Sequence, residues 1–228
     1  MVSSLEKARR APDSMKAKIL KVARRQFGEY GFHGTTTRMI AQAAGIDIST
    51  LHYHWGDKAD LYEAALLDIT EDLRRKLIEV EKLIHGQPLR KRMDIAIDMV
   101  SDYLFECPEI SNLILFQYFG KTRHDAGVGS HVPEFISDIA RSMNLSQDGR
   151  HVPTQERLKV MAMMNAIFNF ISGESFFRSM LKLEREAYVA MVKGTLKFIL
   201  IPAFTASGSQ EKLSETCKEK RPGGKRAA

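Results

Sequence analysis

Apolar residues recur at helical spacing along most of this chain, and the recurrence predicts a succession of helices. The first predicted helix covers about residues 14–30 and surrounds one apolar face with lysine and arginine side chains. That face is formed by Ile19, Leu20, Ala23 and Phe27. No alternation of apolar and polar residues typical of strands persists in the sequence. The expected fold class is therefore all-α.

Glycine and proline residues divide the rest of the pattern into further elements. Beyond residue 56, helices are predicted at about 57–84, 89–106, 108–121, 133–144, 154–183 and 184–203. Loops are expected at Thr122–Val132 and Ser146–Val152. Residues 1–13 predict a flexible arm, and residues 205–228, rich in Ser, Gly, Lys and Glu, predict a disordered basic tail.

Residues 35–58, TTTRMIAQAAGIDISTLHYHWGDK, predict two short helices joined by a tight turn. Gly45 can adopt the left-handed conformation that ends a helix, and Asp47 or Ser49 can cap the next one. A helix, a short turn with glycine and a second helix form a helix-turn-helix, whose second helix usually enters the major groove of DNA. This segment therefore indicates sequence-specific DNA binding.

The net charge of +6 is concentrated at the two ends of the chain. Residues 1–60 hold ten Lys or Arg against six Asp or Glu, and residues 205–228 hold six against three. The middle of the chain carries a net charge of −1. Positive charge around the helix-turn-helix fits contact with phosphates. Solvated basic faces are common on other proteins too, so charge alone does not decide the matter.

Composition limits the class of protein. A chain of 228 residues with 44% hydrophobic and 27% charged residues is typical of a soluble globular protein of one or two domains. The longest uncharged run in its apolar second half, residues 160–173, is shorter than the ~18 residues of a membrane span. The N-terminus lacks the apolar core of a signal peptide, and Cys107 and Cys217 are too few for a disulfide framework. We expect a cytoplasmic protein that does not enter a membrane.

The segment from Phe27 to Ala64, FGEYGFHGTTTRMIAQAAGIDISTLHYHWGDKADLYEA, contains an ordered series of Phe, Gly-Phe, Thr-Thr, Ile-Ala, Ala-Gly, Leu, His, aromatic, Lys and Leu. With the helix before it, residues 19–67 resemble the DNA-binding domain of TetR-family transcriptional regulators. The resemblance covers about a fifth of the chain. It departs from the family at Ser49, His52 and Trp55, so the operator sequence does not transfer.

The resemblance implies a division of the chain into domains. Residues 14–60 are expected to be the helix-turn-helix DNA-binding domain, in three helices. Residues 61–204 are expected to be a larger helical domain for ligand binding and dimerisation. The arm and the tail flank these two domains.

The resemblance also implies a set of DNA-binding residues. It places Thr50 and Tyr53 near the bases. Arg38 is positioned to reach a base edge, where arginine usually pairs with guanine. Leu51 and Trp55, four residues apart, are expected to pack against the first helix. The full set of candidates is Thr36, Thr37, Arg38, Ser49, Thr50, His52, Tyr53, His54 and Lys58.

Simpler roles remain open for some of these candidates. Thr36, Thr37, His54 and Lys58 are implied phosphate contacts, yet helix capping is a sufficient explanation for the two threonines. Lys58 can also be a solvated surface lysine. His52 can contact a base or a phosphate.

Chemistry other than binding is not indicated. His52 and His54 are two residues apart on a helix and point about 200° apart, so they cannot chelate one metal ion. No Gly-x-Ser-x-Gly or comparable nucleophile motif is present. We expect no enzymatic activity, no metal and no cofactor.

The segment Val160–Ile171 is apolar on all sides except for Asn165 and Asn169, which predicts a mostly buried helix. The two amides share a face and can bond across a dimer interface, bond within the core or contact a ligand. Methionines in such a segment suit an apolar ligand of variable shape. The candidate ligand-binding residues are Met99, Tyr103, Phe116, Asn165 and Asn169, with core packing as the alternative for the first three.

Our hypothesis is a homodimeric, ligand-responsive transcriptional regulator, a repressor that binds a near-palindromic double-stranded operator. Its two C-terminal helices, at about 154–183 and 184–203, would pair with their copies in a second chain as a four-helix bundle. A small, apolar effector would release or tune DNA binding. Two rivals are a helical enzyme or lipid carrier, and an architectural DNA-binding protein without ligand control.

Overall fold

The computed structural model describes residues 4–119, 132–146 and 149–205, and in these ranges every regular element is an α-helix. The all-α fold class is confirmed. The described ranges contain α1 (Ser4–Arg10), α2 (Met15–Gly34), α3 (Thr37–Ala44), α4 (Ile48–Trp55), α5 (Lys58–Ile84), α6 (Leu89–Glu106), α7 (Pro108–Phe119), α8 (Val132–Ser142), α9 (Thr154–Ser172), α10 (Glu174–Leu181) and α11 (Arg185–Thr205). Residues 122–131 of the loop predicted at 122–132 and residues 206–228 of the tail predicted at 205–228 lie outside the described residues.

The N-terminal arm differs from the prediction, because residues 4–10 form the helix α1 instead of a flexible segment. A helix of seven residues is not stable alone, so tertiary contacts must hold it. Ala8 is buried, and the Arg9 guanidinium donates to the carboxylate of Asp68 at 2.8 Å and to its carbonyl at 3.1 Å. Local sequence pattern cannot reveal a partner that lies 59 residues away.

The helix predicted at 154–183 is divided in two at Gly173. The ring of Phe177 comes within 2.4 Å of the place where a Cβ atom at this position would lie. Glycine leaves room for that ring, and the chain turns there from α9 into α10.

The caps of the helix-turn-helix follow the sequence prediction. The Thr36 side chain accepts from the amide of Met39 at the start of α3, and Gly45 ends that helix with φ of 68°. Asp47 then caps α4. Asp57 and Asp60 form a complete capping box at the start of α5.

The start of α5 is tied to the connection between α2 and α3. The Lys58 ammonium donates to the carbonyls of Phe32 and Thr35, each at 3.0 Å, and lies 4.3 Å from the centroid of the Phe32 ring. The Thr35 side chain is fully buried and donates to the carbonyl of Gly31 at 2.8 Å. Lys58 therefore joins the helix-turn-helix to the long helix that follows it.

A buried ionic cluster joins α2 to α5 and α7. The Arg24 guanidinium bonds Asp68 at 2.8 Å and Asp72 at 2.5 Å, and it lies 3.4 Å from Glu109. Burial opposes the charge of Arg24, but the hydrogen bonds from Asp72 and Asp68 outweigh it and raise the pKa of the guanidinium. Gly28 allows close approach, since a Cβ there would come within 2.9 Å of the Glu109 backbone.

Helix α11 lies on the outside of the larger domain and packs along α6. Two lysines in its middle form ion pairs with α6, Lys193 with Asp102 at 2.8 Å and Lys197 with Asp98 at 2.6 Å. Among the described helices, α11 is long and apolar enough to cross a membrane by length and composition. Its ion pairs favour packing against protein, because an ammonium group in a lipid tail region is costly.

We expect Arg24→Met to lower the free energy of unfolding by about 2–3 kcal/mol, because it leaves buried carboxylates without their main counterion. Arg9 and Arg75 still contact Asp68 and Asp72, so the loss stays below that of a wholly unpaired charge. Urea denaturation followed by circular dichroism measures it. The matched control is Arg25→Met, which changes an exposed neighbour. Equal stability of the two variants would contradict the role of the cluster.

We expect Lys58→Met to lower the free energy of unfolding by about 1–2 kcal/mol, because two carbonyls lose a charged donor. The same denaturation experiment applies, with the exposed Lys21→Met as control. A lysine whose role was limited to phosphate contact would leave the stability of the free protein unchanged.

Candidate nucleic-acid interface and internal cavity

Two buried apolar side chains hold one face of α4 against the protein core. Leu51 is 0% exposed and Trp55 is 5% exposed. The Trp55 indole N–H donates to the carbonyl of Lys16 in α2 at 3.1 Å, so the buried ring leaves no unpaired donor. The predicted packing of these two residues is confirmed. Because they fix one face of α4, the opposite face must be turned to solvent.

The outer face of α4 carries side chains that the sequence analysis proposed as contacts to DNA bases. Tyr53 is 86% exposed, which is unusual for so large a ring, and it contacts the His54 ring edge-on at 5.2 Å between centroids. Ser49 and His52 are exposed as well, whereas His54 is half-buried. The Nδ1 of His52 lies 2.7 Å from the carbonyl of Gly56, so Nδ1 donates this hydrogen bond.

Thr50 is engaged at the start of α4. Its amide donates to one oxygen of Asp47 at 2.6 Å, and its hydroxyl donates to the other at 3.1 Å. These bonds, the one from the Thr50 amide above all, lower the pKa of the Asp47 carboxyl. Thr50 must therefore give up its bond to Asp47 before its hydroxyl can donate to a base.

The remaining candidates lie at the start of α3 and α5. Thr36 and Arg38 are exposed, and Thr37 is half-buried at the first position of α3. The Thr36 side chain caps α3, as the simpler reading of this residue predicted. Lys58 is half-buried, not a solvated surface lysine, and its ammonium contacts carbonyls of the protein. In this conformation one of its three donors is left for a phosphate.

A separate cavity of about 280 Å³ lies inside the larger domain, between α5, α6, α8 and α9. Its lining is mostly apolar and rich in methionine. The apolar lining consists of Leu77, Ile78, Val80, Ile84, Leu89, Met93, Ala96, Ile97, Val100, Phe135, Ile139, Met143, Met163, Met164 and Ile167. Polar side chains enter from Arg74, Glu81, Arg92, Asp138 and Ser142.

None of the five candidate ligand-binding residues lines this cavity. The amides of Asn165 and Asn169 donate to the carbonyls of Met161 and Asn165, one turn back on α9, each at 2.9 Å. Met99 is half-buried among core residues beside the cavity. The amides bond their own helix because backbone carbonyls one turn back lie within reach of a short polar side chain.

The two aromatic candidates lie near the DNA-binding domain instead. Burial raises the pKa of Tyr103 to about 12, and the Lys76 ammonium lies 5.8 Å from its ring centroid. Phe116 packs against Gly31 of α2.

The predicted methionine-rich helix does supply part of the cavity, through Met163 and Met164. Periodicity marks both as buried but cannot tell which buried side chains border an empty space.

Arg92 is the charged residue that the sequence analysis missed. It is 9% exposed and lines the cavity from α6. Its Nη2 bonds both carboxylate oxygens of Glu81 on α5, at 2.8 and 2.9 Å. Its Nε is buried and has no hydrogen-bond partner. An unpaired buried donor costs about 1–3 kcal/mol, so this edge of the guanidinium is open to an acceptor.

Residues 19–65 match the family model described as "Bacterial regulatory proteins, tetR family". The chain is also similar to the HTH-type transcriptional regulator RutR of Escherichia coli K12, with 37% identity over 70 residues. This match covers 31% of the chain and 33% of RutR, so it spans about one third of that relative's length. The family-model match falls on the part of the chain that contains the helix-turn-helix.

Solved structures share the fold over most of the chain. The fatty acid degradation regulator FadR from Bacillus halodurans aligns with a TM-score of 0.56 at 15% identity, over 81% of this chain and 95% of that one. AibR, solved in complex with isovaleryl coenzyme A and operator DNA, aligns with a TM-score of 0.60 at 15% identity, over 83% and 99%. At this identity the likeness concerns the fold alone. With the match at residues 19–65 and the helix-turn-helix built as described, this part of the chain is similar to the DNA-binding domain of TetR-family regulators.

Proposed function

We propose that this protein is a cytoplasmic, homodimeric repressor that binds a near-palindromic operator and is released by a small apolar effector. The outer face of α4 is the single observation that carries the proposal. Tyr53 is held 86% exposed on a helix whose other face is fixed by buried Leu51 and Trp55. A rigid helix that presents polar and aromatic side chains suits direct readout in the major groove.

The charge around this face supports DNA as the partner. Residues 1–60 carry a net charge of +4, and Arg38 is exposed at the start of α3. A helical enzyme or lipid carrier would explain the cavity but would give no role to the outer face of α4. DNA binding gives a role to both the face and the charge.

An uncovered apolar surface supports the homodimer. It runs along α9, α10 and α11, where eight large apolar side chains are exposed. They are Leu158, Met161, Phe176, Met180, Leu181, Met191, Phe198 and Ile199. We call this set the C-terminal apolar face. Monomeric proteins rarely expose so large a patch, and a second copy of the same face would cover it by two-fold symmetry.

The cavity supports control by an effector. It lies between α5 and α9, so a ligand there would contact both helices. Helix α5 begins at the helix-turn-helix, and α9 carries part of the C-terminal apolar face. A ligand that prefers one spacing of the two reading helices changes operator affinity, typically by about 1–3 kcal/mol. AibR, which has this fold, was solved with both an acyl coenzyme A and operator DNA.

Tyr53→Ala is expected to weaken binding to the operator by about tenfold or more, because a base-contacting side chain contributes about 1–3 kcal/mol. The operator comes from selection of bound fragments from random DNA at moderate salt. We expect two half-sites about 34–36 Å apart. Tyr30→Ala is the control, since Tyr30 is also exposed but lies on α2. The proposal fails if no sequence is enriched, or if Tyr53→Ala binds the selected duplex as tightly as the parent.

Phe198→Glu is expected to convert the dimer into a monomer, because it places a charge in the centre of the C-terminal apolar face, where Phe198 is 80% exposed. Sedimentation equilibrium measures the mass, and the same variant should lose most of its affinity for the full operator. Leu83→Glu is the control, since Leu83 is exposed on α5 outside this face. A parent chain that sediments as a monomer at micromolar concentration would refute the homodimer.

A further inference from the structure

The cavity between α5, α6, α8 and α9 has a buried cation, Arg92, in a mostly apolar wall. Arg92 lies there beside Met93, Met163 and Met164. A guanidinium presents five donors, and among the described residues Glu81 is the acceptor, which bonds Nη2. The buried Nε, which has no partner, lies on the same edge of the guanidinium plane as Nη2. This edge has the spacing that a carboxylate takes with two parallel N–H bonds.

We infer that the effector is a free carboxylic acid with an unbranched apolar chain, and that Arg92 binds its head group. This inference rests on the proposed function, because it names the class of ligand that the cavity takes. The chain would lie against the methionines, whose thioether side chains adapt to a flexible ligand. A cavity of about 280 Å³ is at the lower end of the usual range of about 300–1,000 Å³, which favours a short or medium chain over a bulky ring system.

Glu81 has the position of a resident counterion that the ligand displaces. It occupies Nη2, which an incoming carboxylate needs together with Nε. The Glu81 side chain is 35% exposed, whereas that of Arg92 is 10% exposed, so Glu81 can turn toward water while Arg92 stays in the wall. His85, one turn along, lies 3.8 Å from the same carboxylate and offers it a second partner. Displacement therefore leaves neither charge buried and unpaired.

The exchange would also alter the packing of two helices. Glu81 belongs to α5 and Arg92 to α6, so the bond between them closes the hairpin that the two helices form. A ligand that takes Arg92 removes this bond and replaces it with contacts to the ligand itself. Since α5 also begins at the helix-turn-helix, the exchange acts on the helix that both proposed sites share.

Isothermal titration of the full chain with octanoate, octan-1-ol, octylammonium and octanoyl coenzyme A tests this inference. The first three share one apolar chain and differ in head group. We expect octanoate to bind at least about tenfold more tightly than octan-1-ol, since charge-assisted bonds are about twice as strong as neutral ones. Arg92→Gln should bring that ratio close to one. Glu81→Gln should strengthen octanoate binding, because it removes the competing charge.

Two further variants test whether a loss of octanoate binding comes from misfolding. The double variant Glu81→Gln, Arg92→Gln removes both charges of the pair, so it should fold and lose the preference for octanoate over octan-1-ol. Arg90→Gln removes an exposed arginine from the same helix and should keep the preference. Circular dichroism of each variant verifies the fold.

Several results would overturn the inference. They are equal binding of octanoate and octan-1-ol to the parent, no binding of either, tighter binding of octylammonium, or binding of octanoyl coenzyme A that exceeds octanoate and is unaffected by Arg92→Gln. Failure of the proposed function is distinguishable, because selection of an operator uses the ligand-free protein. An enriched operator without octanoate binding rejects the ligand class alone, whereas octanoate binding without an enriched operator rejects the regulator.

Discussion

The contact between α2 and the larger domain is the constraint on which the rest of this structure depends. One guanidinium, that of Arg24, is shared by carboxylates from α5 and α7. Gly28 lets the α7 backbone come close enough for that arrangement. Since separating these groups would leave charges unpaired in a half-buried setting, the helices are held in one register. The helix-turn-helix part of the chain is thus packed against the helices that follow it.

Helix α5 extends this constraint over a long distance. It contains 27 residues and is therefore about 40 Å long. At its start Lys58 holds the connection between α2 and α3, and near its end Val80 and Ile84 border the cavity. A packed helix moves as a unit, because its side chains have few alternative arrangements. Under the proposed function, α5 is the rigid element that joins the cavity to the helix-turn-helix.

Several polar side chains illustrate how a residue's neighbours decide its role. Lys58 has the family's position for a phosphate contact, yet in the free protein it bonds two backbone carbonyls. Thr50 bonds Asp47, and Asn165 and Asn169 bond carbonyls of their own helix. In each case an unpaired polar group would cost free energy, so a nearby partner is taken. Resemblance identifies the residue, but its partners depend on coordinates.

The sequence by itself determined whatever depends on neighbours along the chain. The helical periodicity, the caps at Thr36, Asp47 and Asp57, and the buried pair Leu51 and Trp55 could all be predicted, because they involve residues within one or two turns of each other. The tertiary structure alone decided the docking of α1, the Arg24 cluster, the cavity and the pairing of Arg92 with Glu81. These features join distant segments, and a cavity is a gap between side chains whose size depends on how whole helices pack.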